Sequence, residues 1–530
     1  MTADCAGQGP ELDGVSRRCT LNRQFISTGA GAVAFLSSIL LGFLAWAGAD
    51  DVPPSPQKAW YPRNLGEYEA ELAREARRNS AGASGIQADP NIVYDLPALI
   101  DIAERSNPQT RIAWERARQA AAAVGLSQSA YFPYLVASAG AGYERAFMPF
   151  PTFEQGPGPR EVSITGGGSL AFDAAEVNGT IFMKWLLLDF GQRKASVTAA
   201  KEGLMAANVG FNGVHQQIVF MVTRRYYELN TARQKVVVAE SSLSAAETVR
   251  QAVEARRDRG LATTPEVLQA EQQSAQVSYD LDAARGVESD AQVALVESLG
   301  ILPTTRLQVA KMPDEPVAVE PAETREELIE RALSQRPDLV AELASLRARR
   351  AEVREARAAF YPKVALNANA GGAGLDVRIG NSPFIWGSAP VYGAGISLEF
   401  PIFDGFARRK KLQIAEAEAR SAEENLAASR DAVIREVWKA HTDLETALRK
   451  QESAAKLLTA AESAFAASVD AYRQGVGTYV DVANAQHSVT TARSVSVDTR
   501  SAIHTCAAAL ALSVGDLAKP ASPGLSQRPK

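Results

Sequence analysis

Residues 406–474 read FARRKKLQIAEAEARSAEENLAASRDAVIREVWKAHTDLETALRKQESAAKLLTAAESAFAASVDAYRQ, a stretch without one glycine or proline. Gly405 precedes it, Gly475 follows it, and the next proline is Pro520. Glycine and proline are the residues that interrupt helices, so the gap predicts one helix over 405–474, about 100 Å long at 1.5 Å per residue. Its larger apolar residues, Leu426, Val433, Val437, Leu444, Leu448, Ala455, Leu458, Phe465 and Val469, advance mostly in alternating steps of seven and four. Eleven residues per three turns keeps an apolar stripe on a nearly straight helix, whereas a left-handed coiled coil needs strict sevens. Gly475 can take the positive φ that ends it, and Thr478 with Asp481 can cap a returning helix of about 35 residues that reaches Val514.

The same pattern occurs earlier in the chain. A shift of 215 residues lays Asp189 on Asp404, Arg193 on Arg408, Val222 on Val437, Gly260 on Gly475, Thr263 on Thr478 and Gly300 on Gly515. Upstream the offset is 229, with Leu99 on Leu328, Ala103 on Ala332, Pro108 on Pro337 and Pro133 on Pro362. The chain is a duplication, and the first copy carries 14 extra residues. The Pro/Gly-rich stretch 147–168, with its counterpart at 371–390, is expected to be a surface loop that absorbs them. Each copy opens with a short helix, at Asp95 with Pro97 and at a Thr324/Glu327 capping box. Asn107-Pro108 and Arg336-Pro337 then restart a helix of about 23 residues, which stops before Pro133 and Pro362.

Next come segments that alternate with period two. Val364, Leu366, Ala368 and Ala370 oppose Asn367 and Asn369; Ile396, Leu398 and Phe400 oppose Ser397 and Glu399; the first copy offers 135–143 and 177–187. Strands of about ten residues with one apolar and one polar face fit a membrane β-barrel. Alternation alone fits a half-buried hairpin of a soluble domain equally well. Four strands leave open edges, which a bilayer does not tolerate, so a barrel built from them requires several chains. The expected fold is mainly α, with duplicated long α-hairpins and four β-strands per chain; three copies would give twelve strands above twelve helical columns.

Over 530 residues the chain is 46% hydrophobic and 22% charged with net charge -5, which separates it from disordered chains and from basic nucleic-acid binders. Arg17, Arg18 and Arg23 precede an apolar run from Gly29 to Trp46, and Ala47-Gly48-Ala49 supplies small residues for cleavage. Residues 1–49 therefore read as a signal peptide, with a retained inner-membrane anchor as the alternative. Residues 50–90 form an N-terminal extension, 91–302 the first repeat, 303–323 a Pro-rich linker, 324–515 the second repeat, and 516–530 a disordered tail. The extension and the linker are expected to wrap the outside of the helices. His215, His441, His487 and His504 are too dispersed for a metal site, and Cys506 is the single cysteine after the leader. No phosphate loop, nucleophile elbow or HExxH occurs, so neither an enzyme nor a cofactor is expected. Arg408-Arg409-Lys410-Lys411 reads as a solvated helix start, and no nucleic-acid partner is expected.

With the duplication, the turn Gly475-Val476-Gly477-Thr478-Tyr479-Val480-Asp481-Val482-Ala483-Asn484-Ala485 and its partner Gly260-Leu261-Ala262-Thr263-Thr264-Pro265-Glu266-Val267 resemble the TolC or outer-membrane efflux protein family. The resemblance spans about residues 91–515. It implies a homotrimeric exit duct of a tripartite efflux or type I secretion system, the duplicated α-hairpins forming a trimeric α-barrel tunnel and the strands a shared 12-stranded membrane barrel. Such a duct is set in outer-membrane lipid, with its tunnel in the periplasm, and is engaged by a periplasmic adaptor and an inner-membrane pump of resistance-nodulation-division or ABC type. Asp481 and Asn484 then fall at the periplasmic constriction, where family members carry paired acids; the amide at 484 weakens the selectivity reading, and Glu266 is the further candidate. Gly260, Leu261, Thr263, Gly475, Val476, Gly477 and Thr478 become the tip turns and adaptor contact. Tyr131, Phe132, Trp185, Phe360, Tyr361 and Phe400, at strand–helix boundaries, are expected at the membrane interface, with packing of the junction as the plainer role. An exported helical scaffold without a pore, or the adaptor itself, are the competing readings; two hairpins in place of one disfavour the adaptor.

Overall fold

The computed structural model describes residues 65–82, 89, 91–155, 162–302, 305, 307–312 and 323–517. The leader expected over 1–49, most of the 50–90 extension, most of the 303–323 linker and the tail from 518 lie outside them. The chain forms two units, residues 1–82 and 83–530. The first is described by helix α1, Leu65–Gly82.

The second unit holds the duplication. Its first copy runs through β1 (Val93–Tyr94), α2 (Leu96–Ser106), α3 (Pro108–Ser129), β2 (Tyr134–Gln155), β3 (Val162–Leu188), α4 (Gln192–Asp258) and α5 (Thr264–Ser298). After β4 (Gln308–Val309) the second copy follows with α6 (Arg325–Gln335), α7 (Pro337–Ala358), β5 (Lys363–Ile379), β6 (Ile385–Glu399), α8 (Ala407–Gln474) and α9 (Tyr479–Val514). The glycine- and proline-free stretch is one 68-residue helix.

Local chemistry sets the boundaries. Asp95 caps α2 by accepting the Ala98 N–H at 3.0 Å. Asn107 accepts the Gln109 N–H at 2.9 Å and donates to the Ser298 carbonyl at 3.0 Å, joining the start of α3 to the end of α5. Glu327 and Thr324 form the expected reciprocal box at the start of α6. Where strand turns into long helix, Asp404 accepts the Arg408 N–H and Nε at 3.1 and 2.7 Å, and Arg408 donates on to the Pro401 carbonyl. Asp189 and Arg193 repeat this at the other elbow, with Arg193 reaching the Leu186 and Leu187 carbonyls. Positive φ at Phe190, Gly191, Gly405 and Phe406 makes both elbows sharp.

The two long helices act as spines. α3 and α5 lie along α4, α7 and α9 lie along α8, and α4 meets α7 nearer the strands and α9 farther from them. Residues equivalent under the repeat are buried in both copies: Leu99 and Leu328, Val222 and Val437, Leu229 and Leu444. Each copy has its own apolar core where the short helix meets its spine. The described part of the linker lies on α4: β4 pairs in parallel with β1, Tyr226 donates to the Ala310 carbonyl, and Asn230 accepts the Met312 N–H.

β2, β3, β5 and β6 form one antiparallel sheet in that order. The expected loop at 147–168 is a correction: β2 continues to Gln155 and β3 starts at Val162, so the extra residues of the first copy lengthen a two-stranded ribbon. Pro149 and Pro151 lie in the ribbon beyond the end of β5 at Ile379, where β2 is bonded to β3 alone. In the second copy, too, most of 371–390 is strand, and only residues 380–384 fall between β5 and β6. No described helix is long and apolar enough to cross a membrane.

Candidate functional site

The ends of the two hairpins farthest from the sheet carry the residues singled out by sequence. Gly475 closes α8 at φ 80°, and the Val476 and Gly477 N–H groups both donate to the Ala471 carbonyl. A Cβ on Gly477 would sit 3.1 Å from that of Ala471, so the turn is tight. Thr478 then caps α9: its N–H and hydroxyl donate to Asp481 at 2.9 and 2.7 Å, and its hydroxyl accepts the Asp481 N–H. These bonds hold the Asp481 carboxyl below its usual range. In the first copy Gly260 has φ 75°, and Glu266 accepts the Thr263 N–H at 3.2 Å.

The two tips pack on each other through Val253, Val267 and Ala270 of the first hairpin and Tyr472, Tyr479 and Val482 of the second, all buried. Arg256 fastens them: it donates to the Tyr472 carbonyl at 2.5 Å and lies 4.5 Å from the centre of the Tyr472 ring. Burial pushes the Tyr472 phenol up, the Arg256 charge opposes that, and the Glu266 carboxylate adds to it. Sequence reading did not find Arg256, because nothing in the first turn signals that its partner stands 216 residues away.

The three candidate gate residues separate. Asp481 and Asn484, three apart on α9, are both exposed, while Val482, Gln486 and Val489 on the other side are buried. Glu266 is half-buried and acts on Tyr472 at the seam between hairpins. Leu261 and Val476 are exposed at the two turn apices, 65% and 80%.

At the sheet end, Tyr131, Phe132, Trp185, Phe360, Tyr361 and Phe400 are all exposed in the single chain. They are also joined to the elbows. Trp185 donates to the Tyr131 carbonyl at 2.9 Å, Arg193 stacks on Tyr131 at 4.8 Å, Arg408 on Phe360 at 5.6 Å, and Phe190 on Tyr361 at 5.4 Å. Among the described residues no three His, Cys, Asp or Glu side chains gather as a metal site.

A sheet with an apolar face on paired helical spines, twice over, narrows the choice of family, and the family model for outer membrane efflux proteins matches residues 99–301 and 328–516. The chain belongs to the outer membrane efflux protein family. Protein CyaE of Bordetella pertussis is 29% identical over 435 residues, covering 80% of this chain and 85% of that one. The pyoverdine export outer membrane protein OpmQ of Pseudomonas aeruginosa is 28% identical over 423 residues, covering 77% and 82%. The solved outer membrane protein VceC of Vibrio cholerae superposes with a TM-score of 0.64 at 21% identity, covering 79% of this chain and 96% of that one, and shares its fold. Family membership makes this an outer-membrane efflux channel protein, with the sheet in the outer membrane and the helical hairpins in the periplasm.

Proposed function

We propose that three copies of this chain close side by side into an exit duct, a 12-stranded barrel above a helical tunnel. A periplasmic adaptor at the tips then links the duct to an inner-membrane pump of resistance-nodulation-division or ABC type. The observation that carries this reading is the matching order of the two layers. The sheet is open at β2 and β6, and the helical layer is open at the α3/α5 column and at α8. β2 follows α3 and β6 precedes α8, so both layers are unfinished on the same two sides. Open strand edges are untenable in lipid. One lateral rotation, repeated until it closes, satisfies strands and helices together.

In this assembly Asp481 and Asn484, exposed on α9, line the periplasmic constriction, where a ring of carboxylates attracts cations and repels anions. Glu266 serves the seam behind them. Leu261 and Val476, presented by Gly260, Thr263, Gly475, Gly477 and Thr478, form the apolar adaptor contact. The six aromatics of the elbows sit at the membrane–water interface on the periplasmic side of the outer membrane. The reading assigns the chain no catalytic step.

Purified protein reconstituted in a planar bilayer tests the function. Discrete ion-conducting steps are expected, with block by multivalent cations from the periplasmic side that weakens in Asp481→Ala. A folded, membrane-inserted preparation without conductance contradicts the duct, and unchanged block in Asp481→Ala removes the constriction role from that residue.

A further inference from the structure

The pairing register sorts the outward face of the sheet into levels. That face is the one carrying Ile181, Leu366, Ile396 and Leu398; the other carries Ser138, Asn178, Thr180 and Asn367. Moving away from the elbows, Trp185 aligns with Leu366 and Ile396, and small or apolar residues, with Tyr392 beside Ala370, follow up to the level of Val177, Gly374 and Ser388. Next comes an aromatic level, Tyr143 with Ala175, Asp376 and Trp386, in which Tyr143 and Trp386 are well exposed. One step higher stands a charged level, Arg145, Asp173 and Arg378.

From Trp185 to Asp173 is about 40 Å of strand at ~3.3 Å per residue, or about 30 Å across the membrane at a tilt near 40°. That is the thickness of a hydrocarbon core. The charged level therefore stands where the outer-leaflet headgroups begin, with aromatics just beneath it as at a membrane interface.

The chemistry of that level is unequal. Asp173 is fully buried, and its two oxygens are taken by Tyr143 (2.6 Å), by Arg378 (2.5 and 3.0 Å) and by Arg145 (3.3 Å). The two guanidiniums remain partly exposed, Arg145 by 51% and Arg378 by 34%. Together they offer far more N–H donors than one saturated carboxylate can accept. Asp376 lies a level nearer the hydrocarbon with one carboxylate oxygen sealed from solvent, so the exposed charges of this level are the two arginines. Asp173 fixes their spacing, and a guanidinium pair held in place matches a phosphate in geometry and charge.

We propose that Arg145 and Arg378, held by Asp173 and Tyr143, form a seat on the barrel exterior for a phosphate-bearing lipid headgroup of the outer leaflet. The seat sets the depth of the barrel and holds the lipid beside it.

The test uses the purified full chain in mixed micelles of phosphatidic acid and phosphatidylcholine with the same acyl chains, and counts retained lipid by native mass spectrometry. Wild type is expected to retain phosphatidic acid preferentially. In Arg145→Ala the preference falls about tenfold, as loss of a charge-assisted hydrogen bond predicts, and in Arg145→Lys it falls less. Arg145→Ala leaves the Arg378–Asp173–Tyr143 contacts in place; its melting temperature in phosphatidylcholine alone, equal to wild type, shows that the fold persists. If that variant melts early, Arg145→Lys supplies the same comparison. Unchanged preference in the variants overturns the seat. Displacement of the lipid by millimolar inorganic phosphate also overturns it, since that describes a free-anion site and not a headgroup site.

Discussion

The second hairpin is closed by an apolar seam, whereas the seam between the two hairpins is polar above the apolar contact of the tips. Along α8 and α9, Leu444, Ala447 and Ile503 pack with Leu448, Ala507 and Leu510, and farther down Ala461, Val489 and Ala492 pack with Leu458 and Phe465. Between α4 and α9 the contacts are of another kind. Gln486 donates to the Ser242 carbonyl, Ser242 meets Thr490 at 2.9 Å, Lys235 pairs with Asp498 at 2.8 Å, Arg493 reaches Ser241, and His504 stacks on Tyr227. Separating an apolar seam exposes hydrocarbon to water and costs roughly 25 cal/mol per Å². Separating a polar seam exchanges protein hydrogen bonds for water at about 1 kcal/mol each. The second hairpin is therefore the firmer unit, and the α4/α9 seam above the tips is the contact that separates at the lower cost.

The contrast can be broken at its strongest point. Leu444→Ala, at a site almost completely buried, is expected to cost about 2–5 kcal/mol in denaturant unfolding. A cost near zero denies that the apolar seam holds the hairpin. Arg256→Ala removes a side chain that joins the tips by both a hydrogen bond and a cation–ring contact, and is expected to cost about 2–3 kcal/mol. Because that loss falls on the seam between hairpins, single-channel recordings should show longer open dwell times, an effect Leu444→Ala does not share.

Smaller changes sharpen the comparison. Gln486→Ala is expected to cost about 1–2 kcal/mol, with faster amide exchange confined to the α4/α9 contact. Thr478→Ala removes the α9 cap at about 1 kcal/mol and should fray its first turn alone. Asp481 shares that cap. Its carboxyl is depressed in the folded state, so its contribution is present above the unfolded value and is lost as pH falls through the folded one.

The smallest effect concerns His504. Burial, with help from the Arg500 charge, pulls its pKa below the usual histidine value. Below about pH 6.5 the unfolded chain takes up a proton that the folded seam refuses, so stability falls as pH drops through that window. The shift should be a few tenths of a kcal/mol between pH 7.5 and 6, read by denaturant titration, and absent in His504→Phe, which keeps a ring against Tyr227.

The helical plan was legible because its signals are local or periodic. A gap between Gly405 and Gly475, steps of seven and four, Thr478 three residues before Asp481, and an offset of 215 need no partner to be read. The strand residues 147–155 and 162–168 are not legible for the same reason: proline and glycine mark loops locally, and prolines are acceptable here because this part of β2 bonds to β3 alone. Arg256 and Tyr472, like Asp173 and Arg378, meet across more than two hundred residues. Their contacts depend on helix packing and strand register, which the sequence around each residue does not encode. Of the gate candidates, Asp481 and Asn484 could be placed on one face from their spacing, while the turn of Glu266 toward Tyr472 could not.

The number of chains in one membrane-embedded particle tests the central claim most directly. Native mass spectrometry of the full chain in nanodiscs is expected to give three chains per particle, with both open sides of every protomer covered by a neighbour. A single chain, stable and inserted in the bilayer with β2 and β6 unpaired, contradicts the account.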